Sequence, residues 1–355
     1  MNIRDFIKKF FKIRGKRVFT LMRLLRIYLL RILGVNIHQQ TEIQYLNQKV
    51  FQTKLVTSKK IEKAVNIKLQ QGEESIEHNF NSKYLVTLSN VLVDTEFGYV
   101  YAIHKSGRYF LISESTEWPT DRILLLAEKP PKKVHCNVEF GALGLPNSSF
   151  AHLMSEDLPN LLRIKSTKNI FFYEKSNLLN EQIFDLGGFD KNKVPKWVYA
   201  SKLEMITKGK DVGYLHPQNL KLIRIFGNKI SKKNSKVKTR KYYISRINFT
   251  RSSKKELGIQ ELFKKLNFEV IYPEKLSLVE QVKIFSNAEL VAGIHGGGIF
   301  HSVWNKSCGV IELMPSSRIN RCFEWQTILR DAKYRKLEIE GFIVKEKAIE
   351  DLISN

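Results

Sequence analysis

Between residues 217 and 313 helix-like and strand-like runs alternate at a spacing that few architectures accept. Leu220 to Ile230 reads as helix and Lys241-Tyr-Tyr-Ile-Ser245 as strand. Ser253 with Glu256 has the capping-box pattern and opens a helix ending near Leu266. Phe268-Glu-Val-Ile-Tyr272 is the next strand, closed by Pro273. Ser277 with Glu280 repeats the box and opens a helix to about Asn287. Glu289-Leu-Val-Ala-Gly293 and Gly309-Val-Ile-Glu-Leu313 are strands again. Strands joined by helices of this length imply βαβ units and a parallel sheet covered on both faces.

Upstream the texture is mixed. Tyr84-Leu-Val-Thr-Leu88, Tyr99-Val-Tyr-Ala-Ile103 and Tyr109-Phe-Leu-Ile112 read as strands separated by turn residues. Ser148 to Ile164 reads as helix, Asn169-Ile-Phe-Phe-Tyr173 as strand, Leu178 to Phe184 as a short helix and Lys196-Trp-Val-Tyr199 as strand. A chain of 355 residues exceeds what one core usually serves. The expectation is an α/β protein in three parts: a basic segment over 1–40, an α/β domain over 41–215, and a Rossmann-like domain over 216–355. A cleft is expected between the two domains. The short basic linker Lys229–Lys238 is read as a solvated loop rather than a boundary.

The formal net charge of +24 calls for an anionic partner. Arg4, Lys8, Lys9, Lys12, Arg14, Lys16, Arg17, Arg23, Arg26 and Arg31 crowd the first 31 residues against the single acid Asp5. On a helical wheel Lys8, Lys12, Lys16, Arg23 and Arg26 gather on one side, with Ile7, Phe11, Val18, Leu21, Leu25, Leu29 and Ile32 opposite. No apolar run reaches the roughly 20 residues needed to span a bilayer, and no signal-peptide cleavage site follows. The pattern fits a basic amphipathic helix on an anionic leaflet through residues 1–35, with a helix packed on the protein body as the alternative. Three scattered cysteines (Cys136, Cys308 and Cys322) make neither a disulfide framework nor a metal site and are read as packing residues in a reducing cytosol. The expected location is cytoplasmic, peripheral on the inner face of the cell membrane. A nucleic-acid reader would interleave its basic residues with exposed aromatics; here the aromatics sit inside strand runs, and no nucleic acid is expected.

Three distinctive pieces fall at carboxyl ends of the expected parallel strands, where open α/β sheets bind ligands. Arg246 follows one strand, His295-Gly296-Gly297-Gly298 follows another, and Glu312 lies near the end of a third. The glycines let backbone approach an anion, and the following helix start offers unpaired N–H groups. A tight turn is the plain alternative. Arg246 and Arg251 can grip diphosphate oxygens with fixed donors. Glu312 can accept from ribose hydroxyls. The dinucleotide fingerprint and the P-loop ending are both absent.

The ordered series Lys241-Tyr-Tyr-Ile-Ser-Arg246, Phe268-Glu-Val-Ile-Tyr-Pro-Glu274, Glu280-Gln281 with Phe285-Ser-Asn-Ala288, the His295 loop and Val310-Ile-Glu312 resembles glycosyltransferase family 61. Upstream, Phe150-Ala-His152-Leu-Met-Ser-Glu156-Asp-Leu-Pro159 resembles that family's histidine-containing helix, and Asn90-Val-Leu-Val93 with Gly98-Tyr-Val-Tyr101 its preceding strands. The resemblance implies a GT-B-like pair of Rossmann-like domains facing across a cleft. It also implies inverting transfer from a nucleotide-sugar co-substrate, with no further cofactor and no catalytic metal. The implied acceptor is a glycan or glycolipid of the kind used in capsular or surface polysaccharide synthesis. The family loop commonly reads HGAGLTN; here Gly297, Phe300 and His301 stand for the alanine, threonine and asparagine. Those changes keep open a non-catalytic scaffold that binds glycan or partner enzymes.

Inverting transfer needs a base opposite the leaving group. His152 and Glu156 share a helix face at i, i+4, whereas Asp157 points about 100° away and Pro159 is expected to kink the helix or to start a second one. The candidates are His152, Glu156 and Asp157, with half-buried histidine and capping carboxylates as the structural alternative.

Overall fold

The computed structural model describes residues 39–116, 130–131, 133–146, 148–164, 169–209, 213–231, 240–248, 256–316, 320–340 and 343–354. The basic helix expected over residues 1–35, Arg251, Ser253 and most of the basic linker lie outside these. Among the described residues no helix is long and apolar enough to cross a membrane.

The C-terminal half is the parallel sheet that the alternation implies. Strands β12 (Arg240–Ile244), β13 (Glu269–Ile271), β14 (Ala288–Ile294), β15 (Gly309–Pro315) and β16 (Tyr334–Ile339) lie in the order β13-β12-β14-β15-β16, every pairing parallel. Side chains alternate across it with the strand period of two. Tyr242, Ile244, Val291 and Val310 face one apolar cluster, and Tyr243, Ala292, Ile311 and Leu313 face another. Burial on both faces explains why these strands read as near-continuous apolar runs. The box at Ser277 forms as expected, with Ser277 N–H donating to Glu280 at 2.8 Å and Glu280 N–H donating back at 3.3 Å.

The N-terminal half departs from a plain second Rossmann-like unit. Its strands are β1 (Gln39–Thr41), β2 (Lys54–Glu62), β5 (Lys83–Asp94), β6 (Tyr99–Ile103), β7 (Tyr109–Ile112), β8 (Asn137–Leu143), β9 (Ile170–Tyr173), β10 (Lys191–Val194) and β11 (Trp197–Ile206). They form one mixed sheet in the order β1-β7-β6-β5-β11-β8-β9-β10, with β2 also against β5. The run β11-β8-β9-β10 is parallel, whereas β5 pairs antiparallel with β2, β6 and β11. The physical reason is connection length: tight turns such as Thr95–Gly98 return the chain antiparallel, whereas parallel neighbours need a crossover. Helices supply the crossovers on the parallel side. The first, α1, runs through Phe150–His152, Leu153–Asp157 and Leu158–Arg163; the second, α2, is Leu178–Gly187.

Strands β1, β2, β8 and β10 are not read as strands in the sequence, and neither are two further elements of the first half. Strands β3 (Val65–Gln71) and β4 (Glu74–Phe80) make a separate hairpin turning at Gly72, whose φ is +61°. It leans on the C-terminal half through Ile76 and Phe80, both in the apolar cluster that holds Trp325. That cluster runs from β4 through α1, α2 and α3 (Pro217–Ser231) to the sheet face of Val291, so the halves share one core.

Candidate functional site

Strand β12 has β13 on one side and β14 on the other, so the chain leaves it in one direction and returns in the opposite one. That is the switch point at which doubly wound sheets open a crevice for ligands. Arg246 lies just past β12 and His295 just past β14, at the two lips of it.

The lips are joined. Arg246 Nη1 donates to the His295 carbonyl. Its backbone N–H donates to Glu256 Oε1 at 2.8 Å, and the Tyr243 hydroxyl donates to the same oxygen at 3.2 Å. Glu256 is fully buried at the start of the helix Glu256–Lys265 (α4), and burial pushes its carboxyl up from the ordinary range. Its expected capping partner Ser253 lies outside the described residues.

The glycines have separate tasks. A Cβ on Gly296 would stand 2.7 Å from the Arg246 guanidinium, and one on Gly298 would stand 2.7 Å from Ile244 Cγ2. Gly297 is different: a Cβ there would meet Ala151 at an ordinary 3.6 Å. Gly296 and Gly298 therefore fit the loop to its own sheet, while Gly297 faces α1 across from it. The segment Gly297–Trp304 continues as a 3₁₀ helix.

His295 and Glu312 form a buried pair with Nδ1 and Oε1 2.5 Å apart. The other carboxylate oxygen accepts from the Tyr334 hydroxyl at 2.6 Å. Glu312 is fully buried, and both of its oxygens are engaged inside the sheet. The contact expected from it is a ribose hydroxyl; here its oxygens face His295 and Tyr334. Tyr334 is held protonated by burial and by the adjacent Glu312, so its hydroxyl remains a donor.

On the other side, α1 widens into a π-helical turn over Leu153–Asp157, just ahead of Pro159. A wide turn of this kind absorbs the N–H that proline lacks and re-aims the side chains beside it. His152 Nδ1 lies 3.2 Å from Glu156 Oε1, which also accepts from the Gly213 N–H at 3.1 Å. Glu156 Oε2 is buried with no hydrogen-bond partner among the described residues. Asp157 takes a different course. It is buried, and it accepts from Lys208 Nζ at 2.7 Å and from Ser148 Oγ at 2.8 Å. The i, i+4 pair thus shares a face, and Asp157 is committed elsewhere.

The two His–Glu pairs approach a common point at the start of the helix Cys322–Ile328. Burial first, then Glu312, and more weakly Glu156, push the Cys322 thiol up. Gly213, which donates to Glu156, packs against Cys322, and the rings of Phe323 and His295 lie 5.4 Å apart.

His301 stacks on Phe150 of α1 at 4.2 Å and on Phe285 at 4.6 Å, and its Nδ1 accepts from Trp304 Nε1 at 3.3 Å. Burial lowers it to about 3, so the ring is neutral. This histidine locks α1 to the glycine loop rather than facing a ligand. Cys308 and Cys322 are buried, as a packing role requires. Among the described residues no group of three His, Cys, Asp or Glu side chains is placed to hold a metal ion.

Tyr334, Cys322 and Phe323 had no motif to announce them. The alternation in Tyr334-Arg-Lys-Leu-Glu-Ile339 is the one signal that could have placed Tyr334 on an edge strand beside Glu312.

Residues 150–316 match the family profile described as Glycosyltransferase 61. That span begins at α1 and ends just after Glu312, taking in both His–Glu pairs and Arg246. Comparison with curated proteins gives no significant match.

Proposed function

We propose, from the match of residues 150–316 to the Glycosyltransferase 61 profile, that this chain moves a hexosyl or pentosyl group, with inversion, from a nucleoside-diphosphate sugar to a glycan hydroxyl. The observation that carries the reading is the joining of Arg246 to the His295 loop at the sheet's switch point, with His152–Glu156 on the helix that meets that loop. This arrangement supports a GT-B-like division of labour, donor on the C-terminal sheet and acceptor on the α1 side.

In the proposed reaction the acceptor oxygen bonds to the anomeric carbon as its proton passes to the His152–Glu156 pair. The bond from that carbon to the diphosphate oxygen breaks, and the electron pair leaves with the diphosphate. Arg246 and the loop N–H groups meet the charge that grows there, which is where stabilisation accelerates the step. Arg251 is proposed as a second cation for the same oxygens. The scheme asks for no metal ion, because these fixed donors supply the positive charge. Glu312, turned toward His295 and Tyr334, orients the loop.

The basic residues among the first 31 support attachment to the inner, anionic face of the cell membrane, and with it a lipid-linked or polysaccharide acceptor. Deleting residues 1–35 is expected to release the protein from anionic vesicles; undiminished binding overturns that part.

The central test is thermal denaturation with a panel of nucleoside diphosphates and their sugars, together with donor hydrolysis. One nucleotide is expected to raise Tm, by roughly 2.7 kcal/mol of linkage at a hundredfold excess over Kd. Arg246→Ala should abolish the shift. Absence of any nucleotide response in the wild-type chain sinks the reading.

A further inference from the structure

The basic N-terminal segment leads into the fold at one point, and the surface around that point is basic too. The chain enters β1 at Gln39, which pairs with Phe110 of β7, two residues from Arg108. The turn that carries Lys105 and Arg108 lies against the segment leading into β2. The Lys105 N–H donates to the Val50 carbonyl at 2.9 Å, and the rings of Phe51 and His104 meet edge to face at 5.7 Å. From there β2 runs on to Glu62, paired with β5 and with no other strand among the described residues. We propose that this rim, the edge of β2 together with the β6–β7 turn, is a second contact with the anionic leaflet and takes lipid phosphates. The inference rests on the membrane part of the reading above.

Lys49, Lys59, Lys60, Lys105 and Arg108 are all exposed, and among the described residues none has a carboxylate partner. Lys60 lies over the Tyr84 ring at 5.5 Å and Arg108 over the Phe110 ring at 6.0 Å, which braces both cations at the rim. No acidic residue occurs in 43–61 or 99–113. Glu42 stands just beyond Thr41, which pairs with Ile112 at the other end of β7, and Glu62 is buried against Arg163. Unpaired cations of this kind keep their attraction for an anionic surface within a Debye length of it.

Two further observations favour a bilayer over a soluble polyanion. Val50 and Val56 are exposed among these cations, and apolar side chains beside basic ones suit the headgroup boundary. The rim also starts where the basic segment enters the fold, so one leaflet can meet both. It lies outside residues 150–316 and is therefore no part of the matched family profile. At its far end Glu62 holds Arg163 of α1, the helix that carries His152 and Glu156. Contact along the rim thus turns the proposed acceptor side toward the leaflet. Lysines on an edge strand also discourage pairing between chains, which is the plain alternative.

The test uses the full-length chain and flotation with phosphatidylcholine vesicles, with and without phosphatidylglycerol. Lys59→Gln with Lys60→Gln removes charge from the strand, Lys105→Gln with Arg108→Gln removes it from the turn, and a four-site variant combines them. Each basic side chain at an anionic leaflet contributes about fivefold in affinity. The four-site variant is expected to bind phosphatidylglycerol vesicles at least about tenfold more weakly than wild type, with the two pairs intermediate. Its donor hydrolysis in solution should stay within about twofold of wild type, since none of the four stands at the crevice. Undiminished vesicle binding by the four-site variant overturns the rim and leaves attachment through residues 1–35 standing. Aggregation of that variant with vesicle binding intact overturns it as well, and assigns the lysines to keeping the edge unpaired. Weaker binding to dextran sulfate with unchanged vesicle binding gives the rim to a soluble polyanion instead. No phosphatidylglycerol-dependent binding by the wild-type chain overturns the rim and the membrane attachment together.

Discussion

The side-chain amide of Gln71 pairs with both backbone groups of Tyr334, Nε2 donating to its carbonyl at 3.0 Å and Oε1 accepting from its N–H at 3.2 Å. Gln71 ends β3 at the hairpin tip, and Tyr334 begins β16, the edge of the parallel sheet. One side chain thus does for that edge what a neighbouring strand would do. The linkage continues inward, because the Tyr334 hydroxyl donates to Glu312 and Glu312 holds His295. A segment more than 220 residues away in sequence thereby supports the loop at the switch point.

Removing that hydroxyl has a defined expected effect. Tyr334→Phe leaves Glu312 Oε2 buried without its donor, at a cost of about 1–3 kcal/mol. Turnover should fall by about tenfold through a loosened His295, with donor KM nearly unchanged. Gln71→Ala should cost less, about 0.5–1.5 kcal/mol. Denaturant melts and steady-state kinetics measure both. Lost stability with full turnover in Tyr334→Phe would confine the tyrosine to holding the fold.

Particular elements explain which parts of this arrangement were legible in the sequence. Strands β12 to β15 were, because burial on both faces leaves apolar runs and because Ser277 with Glu280 marks a helix start by local chemistry. The side-by-side placement of Arg246 and His295 followed from parallel strands ending at one edge. The hairpin was not legible: strands such as Val65–Gln71 are half polar, and Ile76 and Phe80 are buried by residues distant in sequence. Glu312 looked like a ligand because sequence places a residue at a strand end without showing which way its carboxylate turns. His301 stands out in sequence only as a departure from the family loop, and the rings of Phe150 and Phe285 around it make it core.

The glycine loop yields a graded series. Gly298→Ala drives a methyl into Ile244 Cγ2 on a packed strand and should cost about 1–3 kcal/mol. Gly296→Ala instead displaces the Arg246 guanidinium, so nucleotide affinity should fall more than stability does. Gly297→Ala meets Ala151 at ordinary contact distance and should stay within about 0.5 kcal/mol of wild type. Melts and nucleotide titrations rank the three; a Gly297→Ala protein as damaged as Gly298→Ala would contradict the described packing of the loop on α1.

Glu156 and Asp157 are adjacent in sequence and should fail differently. Asp157→Asn leaves the Lys208 ammonium, 15% exposed, without its carboxylate and should cost about 3 kcal/mol of stability. Glu156→Gln keeps the shape and removes the charge beside His152, so transfer should fall by at least about a hundredfold while Tm moves little. A Glu156→Gln enzyme with wild-type turnover would remove the pair from the chemistry.

Two buried groups give stability a pH dependence of opposite sign. Burial lowers His301 to about 3 from an ordinary 6.5, so over that window the unfolded chain binds a proton that the folded chain refuses. Falling pH therefore costs up to about 1.4 kcal/mol per unit at this residue. Burial of Asp94 raises its carboxyl to about 6 from 3.8, so here the folded chain binds the proton first. Its contribution is fully present below the unfolded value and is lost as pH rises through about 6. Between pH 6 and 4 the two nearly cancel. His301→Phe keeps the ring stack and removes the titration, so its Tm relative to wild type should climb as pH falls from 6.5 to 4. The lost Trp304 hydrogen bond adds only a constant offset. Asp94→Asn should show the reverse, a steeper acid loss than wild type below pH 6. Parallel Tm profiles for wild type and His301→Phe across that window would mean that His301 takes up its proton in the folded protein as readily as in the unfolded chain, and the stacked, neutral imidazole described between Phe150 and Phe285 would be wrong.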